Sequence, residues 1–343
     1  MILLKKYKSL IIIISCLILI IFCSILFRST FLIGRQSNNK GYILAITSND
    51  PTAVNQQRKI VVLDIRNNKI IKELYSYNVG HDLEAAISPD KSKLAINKWV
   101  DNMDLDLFVV DLKTHKETQV TDKINGEISR ISWINNDEIL YTYVSHNAKI
   151  DGLGMRIYIL NIKNGTRKMI DGLCLKDNKP IYWFNTVRYI PQLQKIVMVR
   201  GLADDFFEPM VDGTVKAPKN QLYLCNIDGT NEKMLVEIKD RTIGRVVATP
   251  DGKKLVIEAY YIQGDKEPSD LYIYDLEKNK LELLLKSGQG YEEHWNIFAL
   301  DNENILFRCN NKLYKMNLKT KVINKMNISN VPPGTSFIGF DYF

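Results

Sequence analysis

Short runs of apolar residues separated by polar turns recur along most of the chain. In the stretch 245–285 four such runs follow one another, at 245–249, 255–261, 271–276 and 281–285. The first two are joined by Pro250-Asp251-Gly252-Lys253, a β-turn in which glycine supplies a positive φ. Four short antiparallel strands cannot bury both faces of their own sheet. The pattern therefore predicts a unit that packs against copies of itself.

The third run of the unit ends in Asp or Asn followed by Leu or Ile, and this signature occurs six times. The acid or amide stands at Asp64, Asp111, Asn161, Asn226, Asp275 and Asn317. Polar residues typical of a turn follow each of them. An Asp or Asn side chain can start such a turn, because it accepts a hydrogen bond from the backbone N–H two residues further along. Strand pattern, turn chemistry and order recur together, so the sequence predicts six repeats.

The first repeat lacks its first strand, whereas the chain ends on an apolar run at 336–343 that has no repeat of its own. If this last strand completes the first repeat, the sheets close into a ring and leave only short edges. The sequence therefore predicts an all-β fold over residues 42–343. It would be a six-bladed β-propeller of four-stranded antiparallel blades, closed by the C-terminal strand completing blade 1.

Two hairpins carry a family resemblance. SPDKSKLAI at 88–96 and TPDGKKLVI at 249–257, each followed by a strand ending in Asp-Leu, resemble the repeat of the TolB-like propellers. The resemblance covers about residues 41–343 and implies the same fold. It also implies an extracytoplasmic protein-binding module, although similar propellers serve as the regulatory part of serine peptidases or act on sugars. Fold analogy does not choose among these functions.

The N-terminal residues differ in kind from the repeats. Residues 10–27 form an uncharged apolar run that follows Lys5, Lys6 and Lys8. Such a run is at the lower end of what spans a bilayer, and the preceding basic residues favour a cytoplasmic N-terminus. No small-residue cleavage site follows, which favours an uncleaved anchor over a cleaved signal peptide or a lipoprotein.

This pattern predicts four segments. They are a cytoplasmic N-terminus at 1–9, a transmembrane helix and signal anchor at 10–33, a linker at 34–41 and the propeller at 42–343. The expected location is the cell membrane of a bacterium, crossed once, with the propeller on the extracytoplasmic side.

The net charge of +7 does not indicate that the propeller itself is basic. Residues 1–40 contain no acidic residue and supply almost all of the excess, at Lys5, Lys6, Lys8, Arg28, Arg35 and Lys40. The remainder of the chain is nearly neutral, so a nucleic-acid partner is not expected. Among the cysteines, Cys225 stands inside a strand signature and is expected to be a buried thiol.

Long connections between second and third strands are expected on one face of the ring, where loops carry binding residues. The longest is 201–221, and it contains Asp204, Asp205, Phe206, Phe207 and Glu208. Aromatic residues flanked by acids suit a protein partner. The alternative, that the phenylalanines pack back onto the edge of the blade, stays open.

The segments leading into the first strands should line the mouth of a central funnel. They carry His81, Asp82, Glu84, Arg130, Arg188, Arg245, Glu292, His294 and Trp295. Such a set could bind a ligand or a metal or perform acid/base chemistry. The two histidines belong to different repeats without ligand spacing, however, and solvated funnel charges are the alternative.

No motif of a serine hydrolase or of a nucleotide-binding loop occurs, and the cysteines lack zinc spacing. We therefore predict no catalytic residue, no metal site and no cofactor. The predicted function is a monomeric, membrane-anchored module, not an enzyme, that binds a protein or an envelope component through its long-loop face. The alternative is a carbohydrate- or peptide-active enzyme, or a ligand receptor, that uses the funnel mouth.

Overall fold

Each sequence repeat forms a meander of antiparallel strands, and the position of a strand in its sheet determines its burial. The second strand of the fifth repeat, Lys254–Tyr260, is buried on both faces because neighbouring repeats cover it. The fourth strand, Lys280–Leu285, leaves half of its residues exposed at the outer edge. The apolar runs of the sequence therefore mark the inner strands most clearly.

The computed structural model describes residues 41–48, 56–79, 84–100, 104–122, 124–147, 152, 154–176, 179–206, 218–261, 268–288, 290–291, 295–310, 312–331 and 335–342. The described strands belong to one compact unit, Asn39–Phe343.

The strands of the first three repeats are β1 (Tyr42–Ser48), β2 (Gln56–Asp64), β3 (Lys69–Val79), β4 (Ala85–Ile87), β5 (Lys93–Trp99), β6 (Leu105–Asp111), β7 (Glu117–Gln119), β8 (Gly126–Trp133), β9 (Glu138–Ser145), β10 (Arg156–Asn161) and β11 (Arg167–Met169). A link follows with α1 (Asp171–Cys174), β12 (Leu175–Lys176) and β13 (Lys179–Pro180).

The strands after this link are β14 (Tyr182–Ile190), β15 (Lys195–Leu202), β16 (Gln221–Asn226), β17 (Lys233–Val236), β18 (Thr242–Ala248), β19 (Lys254–Tyr260), β20 (Ser269–Asp275), β21 (Lys280–Leu285), β22 (Trp295–Ala299), β23 (Asn304–Cys309), β24 (Lys312–Asn317), β25 (Ile323–Lys325) and β26 (Ser336–Tyr342).

The sheets correct the predicted blade count. Four described sheets are four-stranded blades, in the orders β26-β1-β2-β3, β14-β15-β16-β17, β18-β19-β20-β21 and β22-β23-β24-β25. The second and third repeats instead share one eight-stranded sheet, and β12 and β13 form a two-stranded ribbon. The expectation of six separate four-stranded blades is therefore wrong, although the all-β propeller fold is confirmed.

The junction in the eight-stranded sheet has a local cause. The outer strand β7 pairs only with Phe108–Val110 and leaves the beginning of β6 uncovered. Leu105 of β6 instead pairs in parallel with Glu127 of β8, which belongs to the next repeat. A short fourth strand thus exposes an edge, and the neighbouring repeat pairs with that edge.

The C-terminal strand completes the first blade, as predicted from the sequence. β26 pairs antiparallel with β1, from Ile43 opposite Tyr342 to Ser48 opposite Ser336. The innermost strands also contact one another in a closed circle, in the order β26, β4, β8, β14, β18, β22 and again β26. The two ends of the propeller sequence are therefore held in one sheet, which closes the ring.

The hydrophobic core is divided into clusters that lie between neighbouring repeats. Leu44 and Ile60 of the first repeat, for example, pack with Leu94 and Ile96 of the second. Cys225 is a free, fully buried thiol in the cluster between the third and fourth repeats, as expected. Burial raises the pKa of this thiol to about 12.

The predicted N-terminal segments at 1–9, 10–33 and 34–40 lie outside the described residues. No helix within the described part of the chain is long and apolar enough to cross a membrane.

Candidate functional site

One face of the ring carries the tight turns, and these turns are closed by their own side chains. Asp64 accepts hydrogen bonds from the N–H groups of Arg66 and Asn67, at 3.0 and 3.2 Å. The equivalent Asp111, Asn161, Asp275 and Asn317 accept the same pair of backbone bonds. The turn chemistry predicted from the sequence is confirmed at these five positions.

The fourth repeat departs from this pattern. The Oδ1 of Asn226 accepts a bond from Lys195 Nζ at 2.9 Å, and Asp228 closes the turn by accepting the Thr230 N–H at 3.0 Å. The acceptor has therefore moved two residues along the chain, while the turn still has its side-chain bond.

The turns between first and second strands also join neighbouring repeats. The N–H of Asp90 donates to Asn136 Oδ1 at 3.0 Å, and that of Asp251 donates to Asn302 Oδ1 at 2.9 Å. Within the TPDGKK turn, Gly252 has a φ of 70°, as expected for its glycine. We call this side of the ring the turn face, and its polar groups are largely satisfied by one another.

The opposite side, which we call the loop face, carries the longer connections between the second and third strands. The connection between β15 and β16 is anchored at both ends. The Ala203 N–H donates to Ile181 O at 2.8 Å, and Asn220 exchanges two bonds with the backbone of Ile243, at 2.7 and 2.8 Å. The loop is thus fixed to the fourth and fifth repeats where it leaves the sheet.

The residues predicted in this loop divide into two groups. Asp204 and Asp205 are exposed, whereas Phe206 is half-buried with its ring 6.2 Å from that of Trp183. Phe206 therefore follows the alternative in which the aromatic ring packs back onto the blade. Phe207 and Glu208 lie outside the described residues.

A cavity of about 350 Å³ is enclosed by the innermost strands. Its lower tier is apolar and takes one residue from each of these strands, at Ala85, Ile131, Val187, Val246, Ile297 and Phe340. Its upper tier comes one position earlier in each strand, nearer the loop face, at Glu84, Arg130, Thr186, Arg245, Asn296 and Gly339. The cavity thus has an apolar tier below a polar ring, and Arg188 lines it one position beyond Val187.

Backbone bulges bring both tiers to the cavity. A register shift interrupts the pairing of β8, β14, β18, β22 and β26 with their second strands at this level. A bulge places two successive side chains on one side of a strand instead of on opposite faces. At two of the bulges a non-glycine residue adopts positive φ, 56° at Arg130 and 58° at Asn296. Such backbone strain concentrates at functional sites.

Two of the three cavity arginines have counter-ions. Arg130 Nη1 lies 2.8 Å from Glu84 Oε1, and the other carboxylate oxygen of Glu84 accepts the Ile131 N–H at 3.0 Å. Arg188 Nη2 lies 3.8 Å from Asp341 Oδ1, while Asp341 Oδ2 accepts the Ile87 N–H at 3.1 Å. Each of these carboxylates belongs to a different repeat from its arginine, so the pairs also hold the ring together.

The third arginine, Arg245, is different. It lies opposite Glu258 across β18 and β19, but its guanidinium forms no hydrogen bond or ion pair with any described residue. Its side chain is exposed to the water of the cavity and surrounded by protein beyond it. Burial lowers the pKa of Arg245, Glu258 opposes the shift, and the neighbouring charge of Arg130 adds to it. Arginine remains protonated in proteins, so the cavity holds a cation that has no counter-ion in direct contact among the described residues.

The structure brings together four of the residues predicted for the funnel mouth, namely Glu84, Arg130, Arg188 and Arg245. His81, Asp82, Glu292 and His294 lie outside the described residues, and only the backbone of Trp295 is described, in β22. In the described part of the chain, no three His, Cys, Asp or Glu side chains lie close enough to hold a metal ion.

Sequence analysis missed two cavity residues, Glu258 and Asn296, and also Asp341, which pairs with the cavity residue Arg188. Glu258 and Asp341 each stand as a single carboxylate within an apolar strand, in LVIEAY and SFIGFDY. An isolated charge in a buried strand is costly unless it is paired, and this signal could have found both. No feature of the sequence marks Asn296 as a cavity residue, because a bulge in β22 determines that its side chain faces the cavity.

No model of a protein family matches the sequence, and no curated protein matches it significantly. Solved structures do match. TolB from Acinetobacter baumannii superposes with a TM-score of 0.55 at 14% identity, over 88% of this chain and 68% of that one. The chain has the fold of the TolB-like β-propellers. The predicted resemblance is therefore confirmed at the level of the fold.

Enzymes share this propeller fold as well. An oligogalacturonate lyase in complex with manganese has a TM-score of 0.52 at 16% identity, over 85% of this chain and 81% of that one. A prolyl endopeptidase has a TM-score of 0.51 at 12% identity, over 82% of this chain but only 40% of the other. Identities this low establish the fold alone, so the expectation that the propeller is not an enzyme stays a prediction.

Proposed function

We propose that the protein is a binding module that holds a protein or another cell-envelope component on its loop face. The observation that carries this proposal is the contrast between the two faces. The polar groups of the turn face form hydrogen bonds with one another, as where the Asp90 N–H donates to the Asn136 side chain. The loop face presents a connection that is anchored at both ends and exposes Asp204 and Asp205.

The chemistry of this loop suits a partner with a basic surface. Phe206 is held against Trp183 and is not free to act as an exposed aromatic anchor. Two exposed carboxylates next to an anchored end of the loop give electrostatic complementarity to a basic surface, which determines orientation and association rate more than affinity. The proposed contact is therefore charge-directed, with Asp204 and Asp205 facing cationic groups of the partner.

We also propose that the propeller lies on the extracytoplasmic side of a bacterial cell membrane. The support is the order of the N-terminal sequence, in which Lys5, Lys6 and Lys8 precede the apolar run 10–27. Protease treatment of intact spheroplasts should cleave the propeller while a cytoplasmic marker survives. Protection of the propeller until the cells are lysed would contradict this location.

The binding proposal is tested by charge reversal at the loop. In Asp204→Lys/Asp205→Lys, in-cell crosslinking followed by mass spectrometry should lose a partner that wild-type protein captures. The melting temperature should stay within a few degrees, because surface substitutions cost roughly 0.5 kcal/mol or less.

The matched control is Glu277→Lys/Glu303→Lys, which reverses two exposed acids on the turn face. It should keep the partner. If both double variants keep it, or both lose it, the loop face is not the binding surface.

A further inference from the structure

We propose that the central cavity binds the carboxylate group of a small organic acid, with Arg245 as the residue that holds it. This site is separate from the partner proposed for the loop face. It rests on the charge balance and shape of the cavity, and it can stand or fall without that partner.

Of the three cavity arginines, Arg245 differs from the other two in its charge pairing. Arg130 and Arg188 are paired with Glu84 and Asp341, whose remaining oxygens accept backbone N–H groups. Arg245 has the nearby charge of Glu258 but no direct partner among the described residues. Glu258 is itself buried, at 4% exposure. Among the three cavity arginines, Arg245 is therefore the one whose guanidinium has no counter-ion in direct contact among the described residues.

An unpaired cation inside a protein is costly, because it has lost part of its hydration without gaining a counter-ion. A bound oxyanion would remove this cost. The planar guanidinium matches a carboxylate in two parallel hydrogen bonds, which is the strongest geometry that arginine offers. The local electrostatics thus favour an anionic occupant at Arg245.

The other residues that line the cavity indicate which kind of anion would fit. The tier of side chains below Arg245 is apolar, with Val246, Ile131 and Val187 each at 5% exposure or less, and the charge of Arg188 beyond it is paired with Asp341. This favours an organic acid with a short hydrocarbon part over inorganic phosphate. The volume of about 350 Å³ is at the lower end for small-molecule sites.

Asn296 gives a second, independent indication of a ligand. Its side chain lines the same cavity, is 4% exposed, and has an Oδ1 without a hydrogen-bond partner in the described structure. A buried polar atom without a partner is rare and calls for an occupant. A hydroxyl on the ligand would donate to this oxygen, so a hydroxy acid fits better than a plain fatty acid.

The test is isothermal titration calorimetry on the full-length chain in detergent. The probes are 2-hydroxybutanoate, butanoate, butanamide and inorganic phosphate at constant ionic strength. We expect one saturable site for 2-hydroxybutanoate, weaker binding of butanoate, and no binding of butanamide or phosphate. Absence of carboxylate binding, or equal binding of butanamide or phosphate, would overturn the proposal.

Variants locate the site. Arg245→Gln should weaken 2-hydroxybutanoate binding by about tenfold or more, the loss expected for a charged hydrogen-bonded contact. Arg245→Lys keeps the charge without the planar fork and should fall between wild type and Arg245→Gln. Lys239→Gln removes one positive charge from an exposed position and should bind as wild type does.

A thermal melt of the ligand-free protein separates binding from a structural role. Because no described residue is a direct partner that Arg245 would lose, Arg245→Gln should melt at the wild-type temperature or above it. A marked drop in the melting temperature would show that Arg245 holds the ring together. Unchanged 2-hydroxybutanoate binding in this variant would place the ligand elsewhere, and either result contradicts the proposal.

Discussion

The turn face and the central cavity use the same kinds of polar residue in opposite ways. On the turn face, a carboxylate such as Asp64 accepts hydrogen bonds from groups within three residues of itself. In and beside the cavity, Glu84 and Asp341 accept bonds from other repeats, and Arg245 has no direct partner within the described part of the chain. Local satisfaction stabilises a turn wherever it occurs, whereas satisfaction across repeats requires the closed ring. Both regions therefore stabilise the fold, the turn face within single turns and the cavity by joining neighbouring repeats.

Glu84→Ala should have the largest effect on stability, because Glu84 joins the second repeat to the third. Its removal leaves Arg130 and the Ile131 N–H without their acceptor. We expect a loss of about 2 to 3 kcal/mol in the free energy of unfolding, measured by urea denaturation.

The control for Glu84→Ala is Asp137→Ala. Asp137 pairs with Lys163, whose side chain is 73% exposed. This change should cost about 0.5 kcal/mol or less. If the two variants lose the same stability, pairing across the cavity contributes no more than a surface ion pair.

Asp64→Ala should have a smaller effect, confined to one turn. The carboxylate accepts bonds from the Arg66 and Asn67 N–H groups and from Asn67 Nδ2, all within 3.2 Å. We expect a loss of about 1 to 2 kcal/mol, as for removal of a helix cap, again by urea denaturation.

Asp64→Asn should keep most of this stability, because Asn161 and Asn317 close equivalent turns with an amide. Equal losses for the alanine and asparagine variants would show that the charge of Asp64, and not its acceptor geometry, stabilises the turn.

The smallest predicted effect is a loss of stability at low pH. Hydrogen bonds lower the pKa of three turn carboxylates. The chief donor is the Asn67 side chain for Asp64, the Thr114 N–H for Asp111 and the Lys278 N–H for Asp275. A lowered folded-state pKa gives stability that is present above the unfolded value, about 4, and is lost as pH falls through the folded value. The urea midpoint should therefore fall as the pH drops below about 4.

Replacing Asp64, Asp111 and Asp275 by asparagine should reduce this acid sensitivity. Asp106 acts in the opposite direction, since burial raises its pKa and its protonation favours the folded state at low pH. It is unchanged in the triple variant, so the difference between the two proteins reports the turns alone. An equal fall in the urea midpoint for both would exclude the turn carboxylates as its cause.

The turn face could be predicted almost residue by residue, because its chemistry is local. An Asp or Asn at the end of a strand accepts bonds from the next few residues whatever the rest of the chain does. Even the exception in the fourth repeat, where Asp228 replaces Asn226, moves the acceptor by only two residues. The closing strand was predictable for a related reason, since the first repeat lacked a strand and the C-terminal run had no repeat.

The cavity could be predicted only in part. Glu84, Arg130, Arg188 and Arg245 were expected there from their places before or in the first strands. Which carboxylate each arginine meets depends on partners more than 40 residues away, as for Arg130 and Glu84. The bulges, which turn Asn296 toward the cavity, have no motif in the sequence.

The sequence by itself determined the repeats, their turns, the buried runs and the strand that closes the ring. Each of these follows from periodicity, turn chemistry and the need to bury a sheet too small to stand alone. The tertiary structure alone decided that the second and third repeats share one sheet, because the single pair between Leu105 and Glu127 depends on how far β7 extends. It alone also decided that Arg245 lacks a direct partner among the residues that the structure describes, because pairing inside a ring depends on distances that no single repeat contains.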